Sequence, residues 1–281
     1  MTTHPFRQVD VFGSGPYSGN PVAVILEAEG LTDAQMADIS SWTNLSECTF
    51  VLPPTTPDAD YRVRIFTLRA ELPFAGHPTL GTARAWLDAG GVPRDAGRVV
   101  QECGVGLVEI RRDGDALAFA APAPLRTGEV DEAYLAEVCA VLGIGRDRVV
   151  AARWVDNGPG WVGIELASAE EVRALAPDAT RHPGEWFIGV VGPQAQGADT
   201  AVEVRAFFTS DGSGMREDPV TGSLNASLAQ WMVGSGRLSA PYVAAQGTML
   251  GRAGRVSIAE ADGEVWVGGA THVAIRGEIE A

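Results

Sequence analysis

The 281-residue chain contains no lysine. Its 21 cations are all arginine, set against 36 Asp and Glu, for a formal charge of −15 at pH 7. The missing amine excludes whole chemistries. Schiff-base enzymes need a lysine nucleophile, P-loop nucleotidases need the lysine that ends their glycine-rich loop, and protein kinases need the strand lysine that holds ATP. A pI near 4.6 argues against nucleic acid as a partner, because neutralising phosphates takes a cationic footprint. Cysteine is scarce too. Cys48, Cys103 and Cys139 are odd in number and far apart, which fits neither a disulfide framework nor a zinc site. No apolar run reaches the roughly 18 residues that read as a membrane span. The first residues, MTTHPFRQVDVF, lack the basic and apolar regions of a signal peptide. The expectation is a soluble, cytoplasmic protein with no membrane partner. The motifs H-E-x-x-H, C-x-x-C and G-x-S-x-G are absent. Gly158 to Gly163 fits G-x-G-x-x-G by letter, but Pro159 occupies the loop and Trp161–Leu166 continues as a strand, so the dinucleotide-binding context is missing.

What is present is enough apolar residue, 46% of the chain, to bury a substantial core. The length fits one large domain or two of about 140 residues. Strand and helix patterns alternate. Gln8–Phe12, Val22–Leu26, Phe50–Pro53 and Tyr61–Phe66 read as strands. Leu31–Trp42 has apolar residues at helical spacing with Thr32 and Asp33 as caps, and Thr79–Ala89 reads as a helix ending at Gly90-Gly91. Val99–Ile110 and Ala116–Ala120 read as strands around an Asp113-Gly114 turn. Pro122 and Pro124 mark a linker, and Glu132–Leu142 is a helix.

A repeat stands out. Val63-Arg64-Ile65-Phe66 precedes Gly76-His77-Pro78-Thr79-Leu80-Gly81-Thr82-Ala83, and Val204-Arg205-Ala206-Phe207 precedes Glu217-Asp218-Pro219-Val220-Thr221-Gly222-Ser223-Leu224. Arg64 and Arg205, His77 and Asp218, Gly81 and Gly222 are each 141 residues apart, half the chain. Self-similarity of this kind changes the expected fold, and it predicts two homologous halves. Proline favours the first turn of a helix, so His77 and Asp218 are expected at helix N-termini, where free N–H groups and the dipole favour a bound carboxylate. Gly81 and Gly222 would allow close approach there, and Thr82 and Ser223 add hydroxyls. If the halves face each other, an imidazole and a carboxylate converge on one cleft suited to acid–base work on a small acid. Taken singly, an Asp before Pro is an ordinary cap and a His before Pro an ordinary turn residue; the repeat favours the functional reading. Glu47, between an apolar helix and Phe50-Val51-Leu52, is either a solvated loop residue or a partly desolvated carboxylate with the raised pKa of a general base. Its neighbour Cys48 is either a thiol base or buried packing.

These segments together resemble the phenazine-biosynthesis PhzF-like isomerase family. The resemblance rests on Val9-Asp10-Val11-Phe12, Gly19-Asn20-Pro21-Val22, Asn44-Leu45-Ser46-Glu47, Arg64-Ile65-Phe66-Thr67, Glu71-Leu72-Pro73-Phe74-Ala75-Gly76-His77-Pro78-Thr79-Leu80-Gly81-Thr82-Ala83, Glu217-Asp218-Pro219-Val220-Thr221-Gly222-Ser223, Gln246-Gly247 and Gly251-Arg252. It implies an α+β fold of the diaminopimelate-epimerase-like type: two pseudo-symmetric halves, each a curled, mostly antiparallel sheet around a central helix. The halves would be 1–121, with a last strand at about 271–281 packed on it, and 125–270. It implies a homodimer, no cofactor, no metal, and a small-molecule carboxylate substrate bound between the halves. Glu47 would be the general acid/base, His77 and Asp218 would orient and polarise the substrate, and Asn20, Gly76, Gly222 and Ser223 would bind it. The family's prototype reaction isomerises trans-2,3-dihydro-3-hydroxyanthranilate by moving a hydrogen across a diene. Related epimerases trade an α-proton between two cysteines; Glu47 and Asp218 stand at those positions here, which disfavours a two-thiol racemase. The sequence departs from the family pattern at Ser41-Trp42, Leu68 and Cys48. The alternatives to an isomerase are a non-catalytic dimeric carboxylate-binding homologue and a hydratase or lyase using the same groups.

Overall fold

The structure is a computed structural model that describes residues 2–114, 116–209 and 214–281. The chain divides into two compact units, residues 1–120 with 268–281, and residues 121–267.

In the first unit, β1 (Thr3–Val11) pairs antiparallel with β2 (Asn20–Ile25). Helix α1 (Asp33–Thr43) follows, closed at its start by a reciprocal capping box between Thr32 and Gln35. It leads into β3 (Glu47–Leu52), parallel to β2. Strand β4 (Tyr61–Thr67) runs antiparallel to β3 and carries the short β5 (Glu71–Leu72) on its other edge. After α2 (Gly76–Asp88), β6 (Arg98–Cys103) lies parallel to β4, and β7 (Gly106–Asp113) and β8 (Ala116–Ala120) continue as an antiparallel meander.

The second unit begins with β9 (Arg126–Glu129) and α3 (Glu132–Leu142), which Asp131 caps at the start and left-handed Gly143 at the end. Strands β10 (Val149–Asp156) and β11 (Val162–Leu166) are antiparallel. The short α4 (Ala169–Arg173) precedes β12 (Phe187–Pro193), parallel to β11. Strand β13 (Val202–Thr209) is antiparallel to β12 and carries β14 (Met215–Asp218). After α5 (Gly222–Gly234), β15 (Tyr242–Gln246) lies parallel to β13 and pairs with β16 (Gly254–Ala261). The pairings from β10 to β16 therefore repeat those from β1 to β7 one for one. The last strand, β17 (Glu264–Glu280), pairs with both β1 and β8, so the sheet of the first unit closes into a ring.

Nine of the 13 residues of α2 and nine of the 13 of α5 are buried. A helix buried nearly all round occupies the middle of its domain, and these two are the axes of their sheets. Close packing explains Gly81. A Cβ there would lie 2.2 Å from Val22 Cγ1 and 3.1 Å from Val11 Cγ2, so this glycine lets α2 touch β1 and β2. The expected role in approaching a ligand does not hold.

Three boundaries differ from expectation. Helix α2 begins at Gly76, three residues early, so Pro78 stands third in the helix, where its missing N–H is still one that no helical bond would use. Glu47 is the first residue of β3 and not a loop residue. The expected strand Val99–Ile110 is a hairpin, turning at Gly104-Val105 with Gly106 at φ +104°. Among the described residues no helix is long and apolar enough to cross a membrane.

Candidate active site

In the first unit three polar side chains converge at the start of α2. His77, the second residue of the helix, is buried, with Nε2 3.3 Å from Glu47 Oε2. The two atoms lack the alignment of a hydrogen bond. On its other edge, Nδ1 lies 3.5 Å from Asn20 Nδ2, at the start of β2. With the Asn20 amide donating to Nδ1, the neutral ring carries its proton on Nε2, towards the carboxylate. Burial lowers the His77 pKa to about 3, because the low-dielectric interior disfavours the imidazolium. The side chain is therefore a neutral dipole beside Glu47. Asp10, at the end of β1, shapes the approach to Asn20: its carboxylate accepts the N–H groups of Ser18 and Gly19. Cys48, adjacent to Glu47, is fully buried, and burial pushes its thiol up to about 12. It carries no thiolate at neutral pH, which removes the thiol-base option.

The second unit builds a different cluster at the start of α5. Thr221 Oγ1 donates to Asp218 Oδ2 at 2.6 Å. Gln246 Nε2 donates to the Asp218 carbonyl at 3.1 Å and to Thr221 Oγ1 at 3.0 Å. Gln246 Oε1 accepts from the Thr221 N–H at 3.0 Å and from Asn225 Nδ2 at 2.7 Å. Ser223, second in α5, receives Trp161 Nε1 on its hydroxyl at 3.2 Å and Asn157 Nδ2 on its carbonyl at 2.9 Å. The N–H groups of Gly222, Ser223 and Leu224 precede the first bond within the helix, which runs from Asn225 N to Thr221 O, and so face outward from its N-terminus. Among the described residues, no three His, Cys, Asp or Glu side chains are grouped as for a metal ion.

Comparison with known proteins gives this pattern a family. The phenazine biosynthesis-like protein family (PhzC-PhzF) matches residues 9–278. The chain belongs to this family. It is 35% identical, over 298 aligned positions and 99% of both chains, to antisense-enhancing sequence 1 of Schizosaccharomyces pombe. It is 36% identical over 256 positions, 89% of this chain and 87% of the other, to the trans-2,3-dihydro-3-hydroxyanthranilate isomerase of Pseudomonas fluorescens. Among solved structures it resembles in fold a PhzF-family protein of Enterococcus faecalis, with a TM-score of 0.80 and 23% identity over the whole of both chains. Its named relatives set it among isomerases.

Within this family framework the structure brings Glu47, His77 and Asn20 together, with Gly76 one residue before the imidazole, and separately gathers Asp218, Gly222 and Ser223. It also revises the repeat. Arg64 and Arg205 match at a displacement of 141, but Gly76 and Gly222, which begin the two helices, are 146 apart. Phe66 pairs with Glu71 and Phe207 with Glu217, so the second β-hairpin is five residues longer. The true counterparts are Glu71-Leu72-Pro73-Phe74-Ala75-Gly76-His77 and Glu217-Asp218-Pro219-Val220-Thr221-Gly222-Ser223. His77 thus matches Ser223, while Asp218 matches Leu72 and lies at the end of β14, before the helix and not on it. Each Arg clamps its Glu through two bonds, Arg64 to Glu71 and Arg205 to Glu217. Trp161, Asn157, Thr221 and Asn225 were missed as site residues. Their partners are side chains or carbonyls of another element, and only the EDPVTGS string hinted at Thr221.

Proposed function

We propose that the chain is a cofactor-independent isomerase that moves a proton between carbons of a small cyclic or amino-acid-like carboxylate, such as trans-2,3-dihydro-3-hydroxyanthranilate. In this reading the Glu47 carboxylate removes a proton from one substrate carbon and returns it to another, so the enzyme ends as it began. His77, held neutral, offers an N–H that steadies Glu47 while the carboxylate is charged. Asp218 and Ser223, with the outward N–H groups of α5, are suited to the polar groups of such a substrate. A carboxylate substrate suits such a helix end, since free N–H groups and the dipole favour an anion.

The observation that carries the reading is the Glu47–His77 pair: a carboxylate 3.3 Å from a buried imidazole that stays uncharged at neutral pH. That pairing suits proton abstraction, because a neutral partner, unlike a cation, does not tie the carboxylate into an ion pair. The names of the isomerase relatives support the reaction class. The test is wash-in of solvent hydrogen. Incubated in D₂O with trans-2,3-dihydro-3-hydroxyanthranilate, and after dialysis against a chelator, the wild type should isomerise the compound and place deuterium on the accepting carbon. Glu47→Gln should lower turnover by about 10²–10⁴-fold, the usual worth of a general base. Deuterium incorporation at the wild-type rate in Glu47→Gln would remove Glu47 as the base.

A further inference from the structure

We propose that Thr221, set by Gln246 behind it, is a positioning residue that fixes the carboxylate of Asp218. The inference rests on the reading of Asp218 as a group that meets the substrate, and it concerns how that group is aimed.

The hydrogen-bond network leaves the Thr221 hydroxyl one choice. Gln246 Oε1 is held by two donors, the Thr221 N–H and Asn225 Nδ2. The amide cannot turn over without facing donor to donor, so Nε2 stays on the hydroxyl side. An amide nitrogen only donates; Thr221 Oγ1 must therefore accept from it at 3.0 Å. The single hydroxyl proton is then committed to Asp218 Oδ2 at 2.6 Å. Gln246 is fully buried and also holds the Asp218 carbonyl, so backbone and side chain of the aspartate are referred to the same amide.

Two further observations separate this from ordinary packing. Thr221 is the N-cap of α5, a place where a threonine hydroxyl usually bonds the first turn of its own helix, for about 1 kcal/mol. Here the hydroxyl makes no capping bond and serves the aspartate instead. The molecule also contains its own control. In the first unit, the position of Asp218 is Leu72 and that of Thr221 is Ala75, and the glutamine is not kept in place: Gln101, paired with Tyr61, matches Ala244, paired with Val202, two residues before Gln246, and it donates to Thr79 Oγ1 and accepts from Tyr61 Oη, each at 3.0 Å. Where the carboxylate is absent the hydroxyl is absent too. The threonine accompanies the aspartate.

The test compares Thr221→Val, which keeps the shape and removes the hydroxyl, with Thr221→Ser, which restores it. On trans-2,3-dihydro-3-hydroxyanthranilate, Thr221→Val should lose about 10–10²-fold in kcat, the cost of misplacing a substrate-orienting group by about 1 Å, with KM changed by less than about threefold, and Thr221→Ser should recover kcat to within about threefold of wild type. Crystal structures of the unliganded variants should show the Asp218 carboxylate displaced in Val and unmoved in Ser. Equal losses in Val and Ser, or an unmoved carboxylate in Val, would overturn the proposal. A wild type inert towards this compound would reject the substrate reading; the crystallographic comparison would still decide the positioning role.

Discussion

Burial of the His77 ring holds it neutral down to a pKa of about 3, whereas in the unfolded chain it titrates near 6.5. Between those values the unfolded state binds the extra proton. The contribution of His77 to stability is thus complete above about pH 6.5 and is lost as pH falls towards 3, with a slope of up to about 1.4 kcal/mol per pH unit. Urea unfolding at pH 7, 6 and 5 should show this acid-side loss, and His77→Asn should flatten it. In NMR spectra of the folded protein the ring should show no titration between pH 5 and 8. Glu47 and His77 were legible as residues because they sit in motifs of contiguous sequence. The Thr221–Gln246 pair spans 25 residues and Trp161–Ser223 spans 62, and no local pattern reports a bond between side chains that only the sheet brings together.

At the scale of elements, the two arginine–glutamate clamps fasten β5 to β4 and β14 to β13. They differ in exposure. Arg205 and Glu217 are 6% and 10% exposed, against 18% and 42% for Arg64 and Glu71, and Arg205 also donates to the carbonyls of Val172 and Leu175. Removing one partner of a buried pair strands the other. Arg205→Leu is expected to cost about 3–5 kcal/mol and Arg64→Leu roughly 1 kcal/mol or less, as measured by denaturant midpoints. The clamps also show where the sequence misled. Arginine and phenylalanine are fixed to β4 and β13 and keep the 141 displacement, whereas glutamate, proline and glycine are fixed to the following hairpin arm and helix. Five extra residues in the second hairpin shift that block to 146. A Pro-x-x-Gly coincidence in the wrong register hid the shift. The local elements themselves were readable: α3 matches its expected span, and α1 lies one or two residues from it. The buried helix α2 was harder to delimit because it has no side-chain cap and does not alternate between apolar and polar faces.

At the scale of the molecule, residues 268–281 belong to a unit whose other members end at residue 120. They supply the strand that joins β1 to β8, so without them both strands would present open edges. Deleting 268–281 should unfold the first unit while sparing the second. Hydrogen exchange would report this as lost protection in β1, β2 and α2 with protection in β11–β13 retained, and equal loss in both units would refute it. Such a split follows from local cooperativity: each unit opens according to its own buried contacts.

The same strand has a consequence for how the protein is made. Translation at about 5–20 residues per second delivers β1 to β8 first, then the whole intervening unit, and only afterwards the segment that seals the ring. The earlier of these two units to leave the ribosome is thus the later to be completed. For several seconds it exposes two unpaired strand edges while its younger neighbour is free to fold, and this is the interval in which a holding chaperone would have most to do.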